Sequence, residues 1–420
     1  SIYIQDAQLE RGLVATSYLE SGATTVTSGV ADNEPRIDYT GGTGSLLLEP
    51  SRTNVIKQSE YINGWNFLLN VNVTDNAAIS PEGVLNASNI VPTTAASSQK
   101  VLDISGFNRT SGQYTSHTIY AKANGYNYLY LSNAADRLFA VYDLSDGSVD
   151  YVSSNGTDFI NHSASIESVG NGWYRCALIG EAVTSIGSYL RISVAPTSET
   201  ISAPAYTADG TSGVLVYGVQ VEQASYPTSY IPTYGTSDTR AADGQTLDIT
   251  NLISSTEGTL FFHLKDAKSH SQTNKILGIG DGSGVDNFFG LYVNDFQTGA
   301  VGIRNRQANA DLMNTAIPNP QNAKVAIKFS PSGVKTFLNG LEFQSSATAY
   351  TGWATSFDLN TTVGDVDLKQ YLLFNEALTD KEAVDLTSPY STYQELVTAE
   401  GLTWESPTCT TNSITELQSI

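Results

Sequence analysis

Apolar and polar residues alternate one for one through most of this chain, in short runs cut by Gly, Asn, Asp and Pro. A period of two sends successive side chains to opposite faces, so the pattern predicts half-buried strands rather than helices. Tyr114-Thr115-Ser116-His117-Thr118-Ile119-Tyr120-Ala121 is one such run, and Tyr128 to Leu131 falls in another. Phe139 to Asp143 and Ser148 to Val152 are joined through Asp146-Gly147, a hairpin signal. Trp173 to Ile179, Ser188 to Val194 and Gly213 to Val221 complete the set, and about eight short strands over residues 55–235 predict a jelly-roll or similar β-sandwich. A second alternation opens at Gly258-Thr259-Leu260-Phe261-Phe262-His263-Leu264 and runs to residue 388. Its clearest hairpin is Val334 to Leu338, Asn339-Gly340, Leu341 to Phe343, since both turn residues accept positive φ. Thr379 with Glu382 three places on predicts a capping box for a short helix, Asp380 to Leu386. The fold class is therefore all-β, two consecutive antiparallel β-sandwiches.

The opening of the chain repeats near its middle. Gln8 to Thr27 aligns with Gln220 to Thr239 after a shift of 212 positions, with seven of 20 positions identical. The second copy closes the first sandwich, so residues 1–30 read as the strand end of an upstream β-domain or of a partner subunit's domain. Residues 31–54 are expected to be a connector, 236–257 a linker and 389–420 a C-terminal tail with one more helix near 393–399. Repeated β-modules along one chain suit adhesive and structural proteins. The same exposed strand end predicts a homo-oligomer, a trimer, because an unpaired edge needs cover.

A formal net charge of −21 repels phosphate backbones and anionic lipid, which argues against direct nucleic-acid binding. Nor does the sequence contain an apolar run long enough for membrane insertion. Cys176 sits in an apolar alternation and reads as a buried small hydrophobe rather than as a partner of Cys409.

Several segments resemble a class of bacteriophage virion proteins, the fibre, spike and head-fibre proteins built of carbohydrate-binding-like sandwiches. The matching residues are Pro35-Arg36-Ile37-Asp38-Tyr39, Leu46-Leu47-Leu48-Glu49-Pro50-Ser51-Arg52-Thr53-Asn54, Gly172-Trp173-Tyr174-Arg175, and Gln220-Val221-Glu222 through Pro227 to Thr233. Residues 258–388 resemble a laminin-G or concanavalin-like module, by Phe337-Leu338-Asn339-Gly340 and by Leu373-Phe374-Asn375-Glu376-Ala377-Leu378. The resemblance implies a structural protein on the virion surface that holds other virion proteins and attaches to a host surface glycan. The alternatives from other classes are a polysaccharide-degrading enzyme working in a sandwich groove, and an architectural decoration without ligand.

Tyr126, Tyr128 and Tyr130 alternate with Asn127, Leu129 and Leu131, which predicts three phenol rings on one strand face as a platform for sugar rings. Trp65 and Trp353 lie beside turn signals where a loop can present an indole to the same kind of ligand. Asp281 and Asp286 frame an oxygen-rich loop that is a candidate for Ca²⁺; no other cofactor is implied. The four histidines show neither metal-ligand spacing nor a nucleophile partner, so no catalytic residue is assigned.

Overall fold

The computed structural model describes residues 36–39, 42–95, 98–134, 137–269, 274–282, 287–294, 300–360 and 364–390. The repeat copy at 8–27, Cys409, Asp286 and the helix expected near 393–399 lie outside them. The chain divides into two compact units, one of residues 51–242 and one of residues 35–50 with 243–390.

The first unit is a jelly-roll-like sandwich of two six-stranded antiparallel sheets. One runs Ser148–Ser154, Leu138–Asp143, Tyr128–Asn133, Ile186–Ala195, Val101–Arg109, Phe67–Leu69 in spatial order. The other runs Phe159–Gly170, Trp173–Ala182, Tyr114–Asn124, Gly213–Glu222, Leu85–Pro92, Val71–Ile79. The two sheets thus hold twelve strands against the expected eight or so: Phe67–Leu69 is too brief to show a period, while Val71–Ile79, Leu85–Pro92, Val101–Arg109 and Phe159–Gly170 carry mixed, largely polar sequence. Between the sheets lies one apolar core, including Ile90, Leu102, Ile119, Leu129, Leu131, Cys176, Leu178, Ile192 and Val216.

Gly213–Glu222 shows how a bulge keeps that core continuous. Val214 and Val216 face inward at even positions, Val219 and Val221 at odd ones. The flip falls where the register with Tyr114–Asn124 shifts between Tyr217 and Gln220. Gly218 absorbs it at φ +62, and a Cβ there would meet the Tyr120 ring at 3.0 Å. A bulge adds one residue and so reverses which face the following side chains take.

Beyond this strand the chain turns back and is clamped. The Gln220 amide donates to the carbonyls of Thr228 (3.3 Å) and Ser229 (3.4 Å), and its oxygen accepts from Ile231 N at 2.7 Å. Glu222 accepts from Thr228 N at 2.9 Å and from the Thr228 hydroxyl. The Tyr230 phenol meets Ser59 Oγ at 2.7 Å and donates to Glu60 Oε1 at 3.2 Å. These five residues are among the seven that the repeat shares, so what recurs at Gln8, Glu10, Thr16, Ser17 and Tyr18 is this set of clamp residue types. Asn54 completes the closure with no exposed surface. Its amide donates to Val219 O (3.1 Å) and Ile231 O (2.9 Å), and its oxygen accepts from Ile56 N and Val221 N, both at 3.1 Å.

The second unit is a separate sandwich of a seven-stranded and a six-stranded sheet. The larger runs Arg36–Asp38, Ser45–Leu48, Gly364–Phe374, Gly258–Ser269, Lys324–Ser330, Gly333–Leu338, Leu341–Ser346. The smaller runs Gly244–Asp248, Ser356–Asn360, Asn274–Gly280, Phe288–Asn294, Ala300–Gln307, Ala310–Ala316. The Asn339-Gly340 turn has φ +49 and +84, as its sequence requires. The capping box at Thr379 and Glu382 forms, and its helix Asp380–Thr387 covers Phe261, Ala326 and Phe337 on the outer face of the larger sheet.

Two expected boundaries do not stand. Residues 31–54 are not a connector: 36–38 and 45–48 are sheet strands of the second unit, while Arg52–Asn54 pairs with Asp238–Arg240 in the first. Nor are residues 236–257 a free linker, since Gly244–Asp248 pairs with Ser356–Asn360. Buried charge explains why polar, Gly- and Pro-rich sequence is structured here. Arg36 reaches Glu49 at 3.1 Å and also Asp243, whose carboxylate accepts from Glu49 N at 2.6 Å. Such pairs satisfy one another where apolar periodicity gives no signal.

Candidate functional site

The richest surface of the first unit is the outer face of the sheet centred on Tyr128–Asn133. Leu129 and Leu131 enter the core, so Tyr128, Tyr130 and Ser132 stand on the opposite side. The register places Tyr128 beside Asp143 and Ala195, Tyr130 beside Val141 and Ser193, and Ser132 beside Phe139 and Arg191. Tyr151 follows one strand further out, opposite Val141, with its ring 5.5 Å from that of Phe139.

Most of this face is roofed, which corrects the expected exposed ladder of three tyrosines. Tyr126 precedes the strand, packs with the main core and accepts a bond from Asp209 N at 3.3 Å. Tyr130 is wholly buried; its hydroxyl donates to Thr197 O at 2.7 Å and accepts from Glu199 N at 2.8 Å. The cover is the segment after Ala195, whose Ala205–Tyr206 pairs with Ser98–Gln99 in a two-stranded ribbon. Tyr206 donates to Val194 O at 2.5 Å and stands edge-on to Tyr126 at 6.0 Å. Phenols whose hydroxyls are consumed by backbone groups and whose rings are covered offer no platform to a sugar.

Tyr128 and Tyr151 remain half-buried at the open end of the face. A bond to Asp143, with burial and the neighbouring Asp150 and Asp146 charges, holds the Tyr128 phenol above its ordinary pKa. Burial pushes Asp143 up, but bonds from Ser145 and Tyr128 outweigh it and keep the carboxyl below its ordinary value. Ser145 N and Oγ reach Asp143 Oδ1 at 2.8 and 2.5 Å. At neutral pH the open end thus presents two aromatic faces beside the ionised Asp143. Ser132 Oγ, deeper on the same face, is buried without a hydrogen-bond partner. Arg191 clasps Asp103 on that face through two 2.7 Å bonds. Aromatic rings next to fixed acceptors are what stacking on a pyranose and bonding its hydroxyls require. Tyr151, Asp143 and Asp150 were read only as parts of the Asp146-Gly147 hairpin and not as site residues; the register of that hairpin places Tyr151 on this face.

The other proposed sugar residues pack instead of projecting. Trp65 is buried in the first unit's core and donates from Nε1 to Gln58 O at 3.0 Å. Trp353, in the second unit, donates to Gln307 Oε1 at 2.9 Å and lies edge-on to Phe289 at 4.8 Å. Indoles beside turns were drawn under the sandwich ends because each finds both apolar cover and an acceptor there. Asp281 accepts from the Asn287 amide at 2.7 Å, while its supposed calcium partner Asp286 falls outside the described residues. No group of three or more potential ligands among the described residues is placed to hold a metal. His117 is fully buried, bonded to Leu178 O at 3.1 Å and to Asn133 at 2.8 Å, and burial lowers its pKa to about 4.

No family model matches the chain, and no curated protein does. Among solved structures it is similar to the NanB sialidase of Streptococcus pneumoniae, at 17% identity and TM-score 0.28, over 35% of this chain and 27% of that one. It is similar to the CBM40 module of the Ruminococcus gnavus IT-sialidase at 17% identity and TM-score 0.25, over 34% of this chain and 93% of that one. A Trypanosoma rangeli sialidase aligns at 10% identity and TM-score 0.26, over 72% of this chain and 61% of that one. The chain therefore spans about a quarter of the pneumococcal enzyme's length, 27%. No residue role is carried over from any of them.

Proposed function

We propose that this chain is a non-catalytic structural protein of a bacteriophage virion surface, a fibre or spike subunit that attaches to host glycans. The glycan is held at the open end of the first unit's outer face, stacked on Tyr128 and Tyr151 with its hydroxyls bonded to Asp143 and Asp150. The observation that carries the binding site is the pair of half-buried phenols beside the Asp143 carboxylate on the sheet. The virion placement is supported by the sequence motifs, and trimeric assembly with other virion proteins belongs to the same reading.

Calorimetric titration with host-surface oligosaccharides tests it. Tyr128→Ala and Tyr151→Ala are each expected to weaken binding by about fivefold or more, the value of one aromatic contact. Folding is monitored by near-ultraviolet dichroism. Binding that persists in the double variant, or no binding to any glycan of the host surface, overturns the site. New reducing ends or unsaturated products after incubation would favour a polysaccharide-degrading enzyme. Labelling of intact particles with an antibody to the chain tests the location.

A further inference from the structure

The larger sheet of the second unit has a second bulge with a different chemistry. His263 pairs with Gln370 and Leu264 with Leu368, so Lys369 is the extra residue on its strand. Inward-facing Leu368 and Tyr371 pack with the core, which leaves Lys369 and Gln370 together on the outer face. The same face carries His263, since Phe262 and Leu264 face inward. On the other side of His263 stands Lys324, its direct cross-strand partner.

These two lysines differ from their neighbours. Lys265, Lys328, Lys335 and Lys381 each meet a carboxylate. Lys324 donates to the Ser388 carbonyl at 2.7 Å and Lys369 to the Asn322 side-chain oxygen at 2.7 Å, both neutral acceptors. Among the described residues neither has an acidic partner. In a chain with 42 acidic residues against 21 basic ones, two uncompensated ammoniums flanking one imidazole are unlike the general surface. All three side chains are half-buried, and burial together with the two lysine charges lowers the His263 pKa to about 4. At neutral pH the imidazole is therefore uncharged and offers one N–H between two cations.

We propose that His263, Lys324 and Lys369 form an oxyanion site that takes the carboxylate of an acidic sugar. The bulge is the device that builds it, since a regular strand would place Lys369 on the inner face. Two ammoniums and a ring N–H match the acceptors of one carboxylate, and charge-assisted bonds of this kind are the stronger class. The site shares no residue with the Tyr128 face, so either can fail alone.

The test uses the full chain labelled with ¹⁵N, reading histidine ring resonances and assigning His263 by its loss in His263→Asn. Sodium glucuronate, glucose and inorganic phosphate are titrated at constant ionic strength. The His263 signal is expected to move and saturate with glucuronate and stay still with glucose. Lys324→Gln combined with Lys369→Gln should weaken that binding by roughly two- to thirtyfold, the range for two exposed ion pairs. Tyr128→Ala should leave it unchanged. A shift no larger than sodium chloride produces, or unaltered affinity in the folded double variant, overturns the site. Saturation by phosphate as tight as by glucuronate overturns the sugar assignment in favour of any small oxyanion.

Discussion

Replacing Asn54 with Ala removes a side chain that uses all its hydrogen-bonding capacity to hold the first unit shut. Four backbone groups lose partners: Val219 O, Ile231 O, Ile56 N and Val221 N, at distances of 2.9–3.1 Å. Each bond contributes about 1 kcal/mol net, and a buried group left unpaired costs as much or more. The sum is about 4 kcal/mol, a large fraction of a typical domain's stability. Asn54→Asp keeps the two accepting positions but turns a carboxylate towards two carbonyls, so it should cost at least as much at neutral pH. Denaturant unfolding of the full chain, followed by tryptophan fluorescence, gives the free-energy change from the shift in midpoint. Amide exchange at Val219 and Val221 should accelerate in step with it. A loss below about 1 kcal/mol would mean that water or a relaxed loop replaces the clamp, and the argument fails.

Other consequences are equally direct. His117 has a folded pKa of about 4 against 6.5 for a free imidazole, so the unfolded chain binds more protons between those values and stability falls as pH drops across them. That window is worth about 3 kcal/mol, and His117→Gln should flatten the stability–pH profile there; parallel profiles would refute it. Glu60 has the opposite sign: burial raises its pKa against bonds from Tyr234, Tyr230 and Asn86, so its contribution to stability declines as pH rises from 4.5 through the folded value. Glu60→Gln should accordingly gain on the parent at pH 8 relative to pH 4, as read from melting temperatures. Trp353→Ala should cost the second unit about 3 kcal/mol by calorimetry, while the sugar binding proposed for the Tyr128 face stays unchanged. Thr379→Ala should cost about 1 kcal/mol through loss of the helix cap, seen as faster amide exchange at Glu382.

The strands were legible because alternation reports a half-buried sheet, and Asn339-Gly340 and Thr379–Glu382 because their chemistry is local. The face of Tyr128 was legible only as a period. Whether that face is open depends on what lies over it, and the cover comes from Ala195 to Tyr206, some seventy residues away in sequence. Tyr126 was misassigned for a nearer reason: the strand begins two residues later, at Tyr128. The grouping of His263, Lys324 and Lys369 on one face could not be read at all, since it depends on one extra residue in a register. The repeat was visible without its meaning until Gln220, Glu222 and Thr228 were seen holding a returning loop.

The pairing of Ser45–Leu48 with Gly364–Phe374 sets an order of events during synthesis. A ribosome releases residues 51–242 complete while residues 36–50 still wait for strands more than 300 positions downstream. The unit of residues 51–242 can fold at once; the other pairs its first and last strands afterwards, with the intervening segment already structured, and so avoids most of the chain-closure entropy of a long floppy loop. Because Arg52–Asn54 and Asp238–Arg240 lie side by side, the unit of residues 51–242 joins the rest of the chain through two neighbouring strands. In chain order it is a cassette: it begins and ends on adjacent strands, next to residues 51 and 242.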